Sequence, residues 1–427
     1  MRKTVLLLML CLMIVMANAQ DDNYYYENAV YKESIKTVLL YRTGFQLSNP
    51  LVGLSEEQTL TLSFDDITSD IKDYSYTIIH CDAAWNESFL SQSMYIDGFF
   101  ENPVTDYAYS FNTSFNYVNY QIEFPNDQMR FKLSGNYVLV VFEDNDPEKV
   151  VLTRRFQVYE NKVTIKGSVH RSTFDAFKGT SQEIDFTIYH PTFDISNPLQ
   201  DVKVVLQQNN RWDNAITGLK PRFIRSGELN YEYDQGNVFE GGNEFRYFDI
   251  RTNSLNGENV ESTEYFRPYY HKTLKVDQVR SNKKYFSYEE MNGKYSVESQ
   301  DQEINDPHTE CDYLFVHFTL PMEMPLVGGS VNVFGALTQW NINKGNEMTY
   351  NFDTGRYELT MLLKQGYYNY IYAYVSKGGK KVDYTNIEGS FWETENDYQI
   401  LVYYRDTAGR YDRLIGYRGF NSIDDRY

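Results

Sequence analysis

Long apolar runs are missing from this sequence after its first sixteen residues, and so are the strings that announce chemistry. No later stretch approaches the roughly eighteen apolar residues that a membrane-crossing helix needs. No G-x-S-x-G elbow, P-loop, G-x-G-x-x-G or H-E-x-x-H occurs, which removes the common local signatures of nucleophilic, phosphate-cradling and zinc-dependent catalysis. The six histidines (His80, His170, His190, His271, His308 and His317) are scattered, with no two at metal-ligand spacing, so each reads as a strand or loop residue. The grouped Glu143, Asp144, Asn145, Asp146 and Glu148 lack the Gly and terminal Glu of an EF-hand loop and read as a solvated hairpin turn. A glycosidase-type carboxylate pair has no nominee either, because 59 acidic residues supply many candidates and nothing singles out two. No enzyme is expected, and no catalytic residue, cofactor or metal is assigned.

Cysteine and positive charge are also scarce. Arg2-Lys3, the apolar Thr4–Met16 and the A-x-A string Ala17-Asn18-Ala19 have the layout of a secretory signal peptide over residues 1–19. Cys11 follows Leu10 rather than a small residue, so lipidation is not expected. Cleavage leaves 38 basic against 59 acidic residues, a net charge of −21. Such a balance argues against nucleic acid and against anionic membrane surfaces, which recruit clustered Lys and Arg. It also suits solubility and the avoidance of non-specific contacts. The two remaining cysteines, Cys81 and Cys311, sit far apart and read as isolated thiols, although an oxidising compartment would allow them to pair. The expectation is an exported, soluble protein without direct membrane insertion.

What the sequence does have is aromatic residues, 39 Tyr and 27 Phe, and these favour sheet faces where a ring packs and a hydroxyl reaches water. With no long helical periodicity, the fold class is all-β: tandem immunoglobulin-like or early-set β-sandwich domains. Three are expected, over residues 28–160, 161–297 and 310–419, with the polar stretch 298–309 as a linker or solvated loop. In the first, Tyr74, Tyr76, Ile78 and His80 share a strand face, and Ser134-Gly135-Asn136 reads as a hairpin turn. The third gives the clearest alternation: Leu314, Val316, Phe318 and Leu320, then Tyr357, Leu359, Met361 and Leu363. Further on, Tyr368, Tyr370, Tyr372 and Tyr374 oppose Ile371, Ala373 and Val375.

Binding residues follow from the aromatic inventory. Residues 88–120 form a long aromatic excursion from the first sandwich, containing Phe99 and Phe100, and such excursions carry function more often than framework. Trp85, Trp212, Trp340 and Trp392 are each a core residue or an interface anchor. Tyr368 and Tyr370 belong either to an exposed platform or to the second packed layer of their sandwich.

Two resemblances add to this reading. Val331–Asn341 (VNVFGALTQWN), followed by YELTMLLKQGYYNYIYAYV, resembles the early-set glycogen-binding modules fused to starch-branching enzymes and to kinase β subunits. Trp340 stands where those modules place their first sugar-stacking Trp. Ile371 and Tyr372 occupy the region of the family's Lys, and residues 377–380 lack its second Trp. The resemblance implies a sandwich fold, with carbohydrate as a partner through Trp340. Over most of the mature chain, QIEFPND, LSGNYVLVVFED, GGNEFRYFDIR, EGSFWETENDYQILVYYRD and YDRLIGY resemble the type IX secretion system plug proteins of Bacteroidota. That resemblance implies a periplasmic protein that closes the periplasmic opening of the SprA-type outer-membrane translocon barrel when no substrate is passing. It brings no catalytic residues.

Overall fold

In this computed structural model the described residues are 26–424, apart from 234, 302–303, 380 and 406–408. The expected signal peptide lies outside them. No helix of the described residues is long and apolar enough to cross a membrane. The chain folds into β-sandwiches, because alternating strands with one apolar face must bury that face against a second sheet.

The first unit packs the sheet ordered Ala29–Val30, Val150–Tyr159, Gly135–Glu143, Tyr74–Cys81, Glu101–Pro103 against a second sheet. The second is ordered Ile35–Arg42, Leu60–Asp66, Val118–Phe124, Asp106–Tyr109. Leu62, Phe64, Tyr76, Ile78, Tyr120, Leu139 and Phe156 interdigitate between them. The aromatic rings meet in the offset and edge-on arrangements their quadrupoles favour, with Phe64 stacked on Tyr120 at 5.2 Å and Tyr74 edge-on to Tyr120 at 4.8 Å. The acidic stretch after Phe142 is a hairpin turn, with Asp144 and Asn145 at positive φ and Lys149 paired to Asp144 at 2.7 Å. The hairpin expected at residues 134–136 does not form, because Met129–Phe131 pairs with Ile96–Gly98 instead.

The boundaries expected for the second and third domains need correction. Val202–Gln208 pairs antiparallel with Asp397–Tyr404, in register from Val202↔Tyr404 to Gln208↔Tyr398. Arg413–Asn421 extends the same sheet. The second sandwich therefore draws its first sheet from residues 164–240 and half of its second from the chain's C-terminal end. Everything between, from Arg246–Asp249 to Val382–Asp383, forms a third sandwich inserted into the second. Residues 246–297 are accordingly part of the third unit, not the second, because Arg246–Asp249 and Tyr295–Val297 both pair with Gly366–Ser376. The stretch expected as a linker docks on the first unit, where His308 contacts Ser63 at 3.0 Å and Tyr41 at 3.2 Å.

The three units meet pairwise. Between the first and second, Leu51, Ala83, Val205, Leu401, Tyr403 and Leu414 form an apolar cluster, and Trp85 meets Trp212 edge-on at 4.9 Å beneath the Arg155 guanidinium. Between the second and third, Arg211 pairs with Asp213 and lies about 5 Å from the rings of Phe334, Trp340 and Tyr384. Between the first and third, Lys364 pairs with Asp65 at 2.7 Å, out of contact with solvent. Cys81 and Cys311 are buried free thiols in separate units, and burial pushes both above their ordinary thiol range.

Candidate docking surface

The excursion 88–120 is built by anchoring its ends and leaving its middle outside. The short helix Gln92–Tyr95 delivers Tyr95 and Ile96 into the first core. Tyr117, Val118 and Tyr120 are buried at the other end. Between these anchors the chain makes three short strands: Ile96–Gly98, Glu101–Pro103 and Asp106–Tyr109. The last two are edge strands, Glu101–Pro103 of one sheet and Asp106–Tyr109 of the other. An edge strand has one unoccupied row of backbone groups and side chains with no neighbour beyond them.

Tyr107 and Tyr109 are exposed on the edge strand, and Phe89 (105% exposed), Phe99 (66%), Phe100 and Phe111 (70%) project into solvent from the connections on either side of these strands. Asp97, Glu101 and Asp106 are exposed among them. The segment is also tied to the third unit. The Phe111 amide donates to the Thr309 carbonyl at 2.9 Å, and the Asp312 carboxylate accepts from the amides of Ser114 and Phe115 at 2.9 and 3.1 Å. Tyr117 donates its hydroxyl to the Cys311 carbonyl at 2.7 Å. These aromatics sit on framework fixed at both ends, so a partner would meet them without first ordering a loop. Exposed apolar surface of this extent marks a contact face more often than an accident of folding.

The other aromatic candidates have different fates. Tyr368 and Tyr370 are core residues, not a platform. Tyr368 lies stacked between Phe248 and Tyr295 at 5.2 and 5.0 Å, and its hydroxyl donates to the Lys364 carbonyl at 2.6 Å. Tyr370 and Tyr372 both donate to Asp277 Oδ2, and burial holds both phenols well above their ordinary range. The opposite face of the same strand is covered as well, since Ile371 and Ala373 pack with Phe245, Phe334 and Tyr384 toward the second unit. Trp392 is half-buried near that junction, with the Arg171 guanidinium 5.6 Å from its ring.

Trp340 is wedged rather than displayed. Phe245 and Phe334 approach it edge-on at 5.8 and 5.3 Å, and the Arg211 guanidinium lies 5.0 Å from its ring. A Cβ on Gly293 would stand 2.5 Å from the indole, so the backbone itself closes one side. A sugar needs an open ring face, and this indole is engaged from several sides. The carried-over sugar contact is not supported by its surroundings.

The dispersed histidines are less dispersed in space. Parallel pairing of Tyr269–Leu274 with Tyr313–Pro321 stacks His271 on His317, with Nδ1 of the first 2.9 Å from Nε2 of the second. Spacing along the chain carried no sign of this, because strand register decides which residues face each other. The aromatics of residues 89–111 had only a diffuse signal, their density in an irregular stretch. Which of them are exposed depends on which short strands take the sheet edges.

Comparison with known proteins gives three findings. Residues 35–160 match the family described as type 9 secretion system plug protein, 1st domain. A crystal structure at 2.30 Å resolution of a hypothetical protein from Parabacteroides merdae superposes with a TM-score of 0.90 at 36% identity. The alignment spans 93% of this chain and all of the other. No curated protein matches the chain.

Proposed function

Since this chain belongs to the type IX secretion system plug protein family, we propose that it is a non-catalytic periplasmic plug. It closes the periplasmic opening of the SprA-type translocon barrel when no substrate is passing. The observation that carries the docking part of this reading is the coincidence of two findings. The segment matching the family, residues 35–160, is the one that exposes Tyr107 and Tyr109 on an edge strand and Phe89, Phe99, Phe100 and Phe111 in the connections around it.

The rest of the molecule suits the task. A chain of this length folded as one body has a radius of gyration of about 22 Å, broad enough to cover a wide opening. Pairwise contacts between the three sandwiches oppose hinging, which would let a seal leak. Aromatic anchors give a partner area at low entropy cost, while the acidic remainder discourages unspecific contact. A plug must also leave, and a contact surface with few anchors permits release.

Deleting residues 88–120 would be a poor test, because it removes Tyr95, Ile96, Tyr117 and Tyr120 from the core. The better variant is Phe99→Ser/Tyr109→Ser/Phe111→Ser, which touches exposed side chains only. Tagged wild-type protein should capture the translocon barrel from outer-membrane extracts, and the triple variant should lose at least tenfold of that capture. Capture unchanged in the variant moves the contact to the third unit, where Met324, Val327 and Phe352 are exposed. No capture by the wild type refutes the plug reading itself.

A further inference from the structure

On the outer face of the second unit's first sheet, three metal-ligating side chains converge that nothing in the plug reading uses. Thr164–Arg171 and Ser181–Tyr189 pair so that His170 stands opposite Glu183, and Asp185 follows two residues later on the same face. One imidazole nitrogen and one oxygen from each carboxylate lie within 4.8 Å of one another. We propose that His170, Glu183 and Asp185 bind a divalent first-row transition-metal ion.

The argument begins with the imidazole. His170 Nδ1 lies 3.0 Å from the Arg171 carbonyl oxygen, a contact that only a protonated nitrogen satisfies, so Nδ1–H donates there. That leaves Nε2 directed at Asp185 Oδ2, 2.9 Å away. A bare nitrogen lone pair and a carboxylate oxygen repel at that distance, so a positive species must stand between them, a proton or a metal ion. Two ligands each held about 2.0–2.1 Å from one ion are roughly 2.9 Å apart at a right angle and roughly 3.4 Å at a tetrahedral one. The observed 2.9 Å, which a protonated imidazole donating to the carboxylate also gives, therefore admits an ion after a shift of a few tenths of an ångström.

Charge points the same way. Glu183 is fully buried, and its partners are the Thr173 amide and hydroxyl at 2.7 and 2.9 Å. Asp185 accepts from the Tyr233 amide and the Asn237 side chain through Oδ1, which leaves Oδ2 to face the imidazole. Among the described residues, the only ion-pair partner of either carboxylate is His170. One imidazolium leaves the pair at −1, whereas a divalent ion on a neutral imidazole balances both. The flanking hydrogen bonds are those that orient metal ligands elsewhere: a backbone carbonyl on the far imidazole nitrogen and donors on the spare carboxylate oxygens. One nitrogen with two carboxylates suits zinc or manganese better than calcium, which takes oxygen ligands alone. His170 and Asp185 keep partial access to solvent, so water can complete the shell. The ion would clasp the strand Thr164–Arg171, which pairs on only one side, to its neighbour and hold the 172–180 loop over them.

The test is calorimetric titration of the chelator-treated full chain with zinc chloride in a non-coordinating buffer. One ion per chain should bind at micromolar or lower concentration. His170→Gln and Glu183→Gln should each weaken binding by at least about tenfold, while His271→Gln should leave it unchanged. Anomalous diffraction at the zinc edge from wild-type crystals should place the ion between the three side chains, which keeps the test independent of any variant's folding. No stoichiometric binding overturns the proposal. So does binding that survives both substitutions, or an anomalous peak located elsewhere, as at His271 and His317.

Discussion

Replacing Lys364 with Met tests whether the three sandwiches behave as one body. Lys364 Nζ lies 2.7 Å from Asp65 Oδ2 across the boundary between the first and third units, and both side chains are 1% exposed. The ammonium also donates to the His308 carbonyl and sits 4.2 Å from the Tyr117 ring centre. Asp65 is held further by the Tyr313 hydroxyl and the Asn119 amide, each at 2.7 Å. Methionine fills most of the lysine volume but leaves a carboxylate buried without its cation. Breaking a buried pair from one side costs about 3–5 kcal/mol. If about 400 residues melt together, at roughly 2.1 cal/mol/K per residue, that loss lowers the melting temperature by about 4–6 °C. Adding Asp65→Asn should restore much of it, because the unpaired charge is then gone. Calorimetric melts of the wild type, both single variants and the double variant supply the cycle. A Lys364→Met shift below about 1 °C, or no recovery in the double variant, would refute the electrostatic reasoning. Separate transitions of which only one moves would refute the single body.

Three other outcomes follow from the same structure. Burial, reinforced by the neighbouring Glu244 carboxylate, holds the Glu290 carboxyl up to about 8. A raised carboxyl favours the fold while protonated, so its contribution is complete below about 4.5 and lost as pH rises through about 8. Glu290→Gln should therefore match the wild type near pH 5 and melt several degrees higher at pH 9, and a difference independent of pH would be the wrong result. Gly293→Ala should cost about 2–4 kcal/mol in urea unfolding, since φ is +80° and the new methyl would meet Trp340 and Phe245. By contrast, Phe99→Ser/Tyr109→Ser/Phe111→Ser should move the melting temperature by no more than about 1–2 °C, which dissociates docking from folding.

How far the fold could be read in advance differed from strand to strand. Tyr313–Pro321 was legible because it has one face on the core and one outward, so burial and sequence alternate together. Arg356–Lys364 alternates in sequence but less cleanly in burial, since Lys364 on its other face is covered by the first unit. Gly366–Ser376 was harder: residues 368–373 are buried on both faces, and tyrosine is at home either in a core or on a surface. Lys364 ends an apolar run beside the polar Gln365-Gly366, where a lysine is unremarkable, and its buried partner lies 299 residues away. The exposed aromatics at 89–111 were visible as a dense and irregular stretch, without any indication of which rings would find cover.

Composition and alternation by themselves determined that this chain is all-β and built from sandwiches, because a strand's face is set by its own period of two. The family resemblance rested on neither, but on particular residue strings such as QIEFPND and GGNEFRYFDIR. Tertiary structure alone decided the nesting of the third sandwich within the second, the wedging of Trp340 among Phe245, Phe334 and Arg211, and the meeting of His170, Glu183 and Asp185. The histidine and the two carboxylates meet through the register of two neighbouring strands, while the nesting and the Trp340 environment depend on contacts between distant segments, such as Gln208 with Tyr398, 190 residues apart. The entropy of closing so long a loop grows only logarithmically, so neither the length nor the composition of the intervening chain marks which strands will pair.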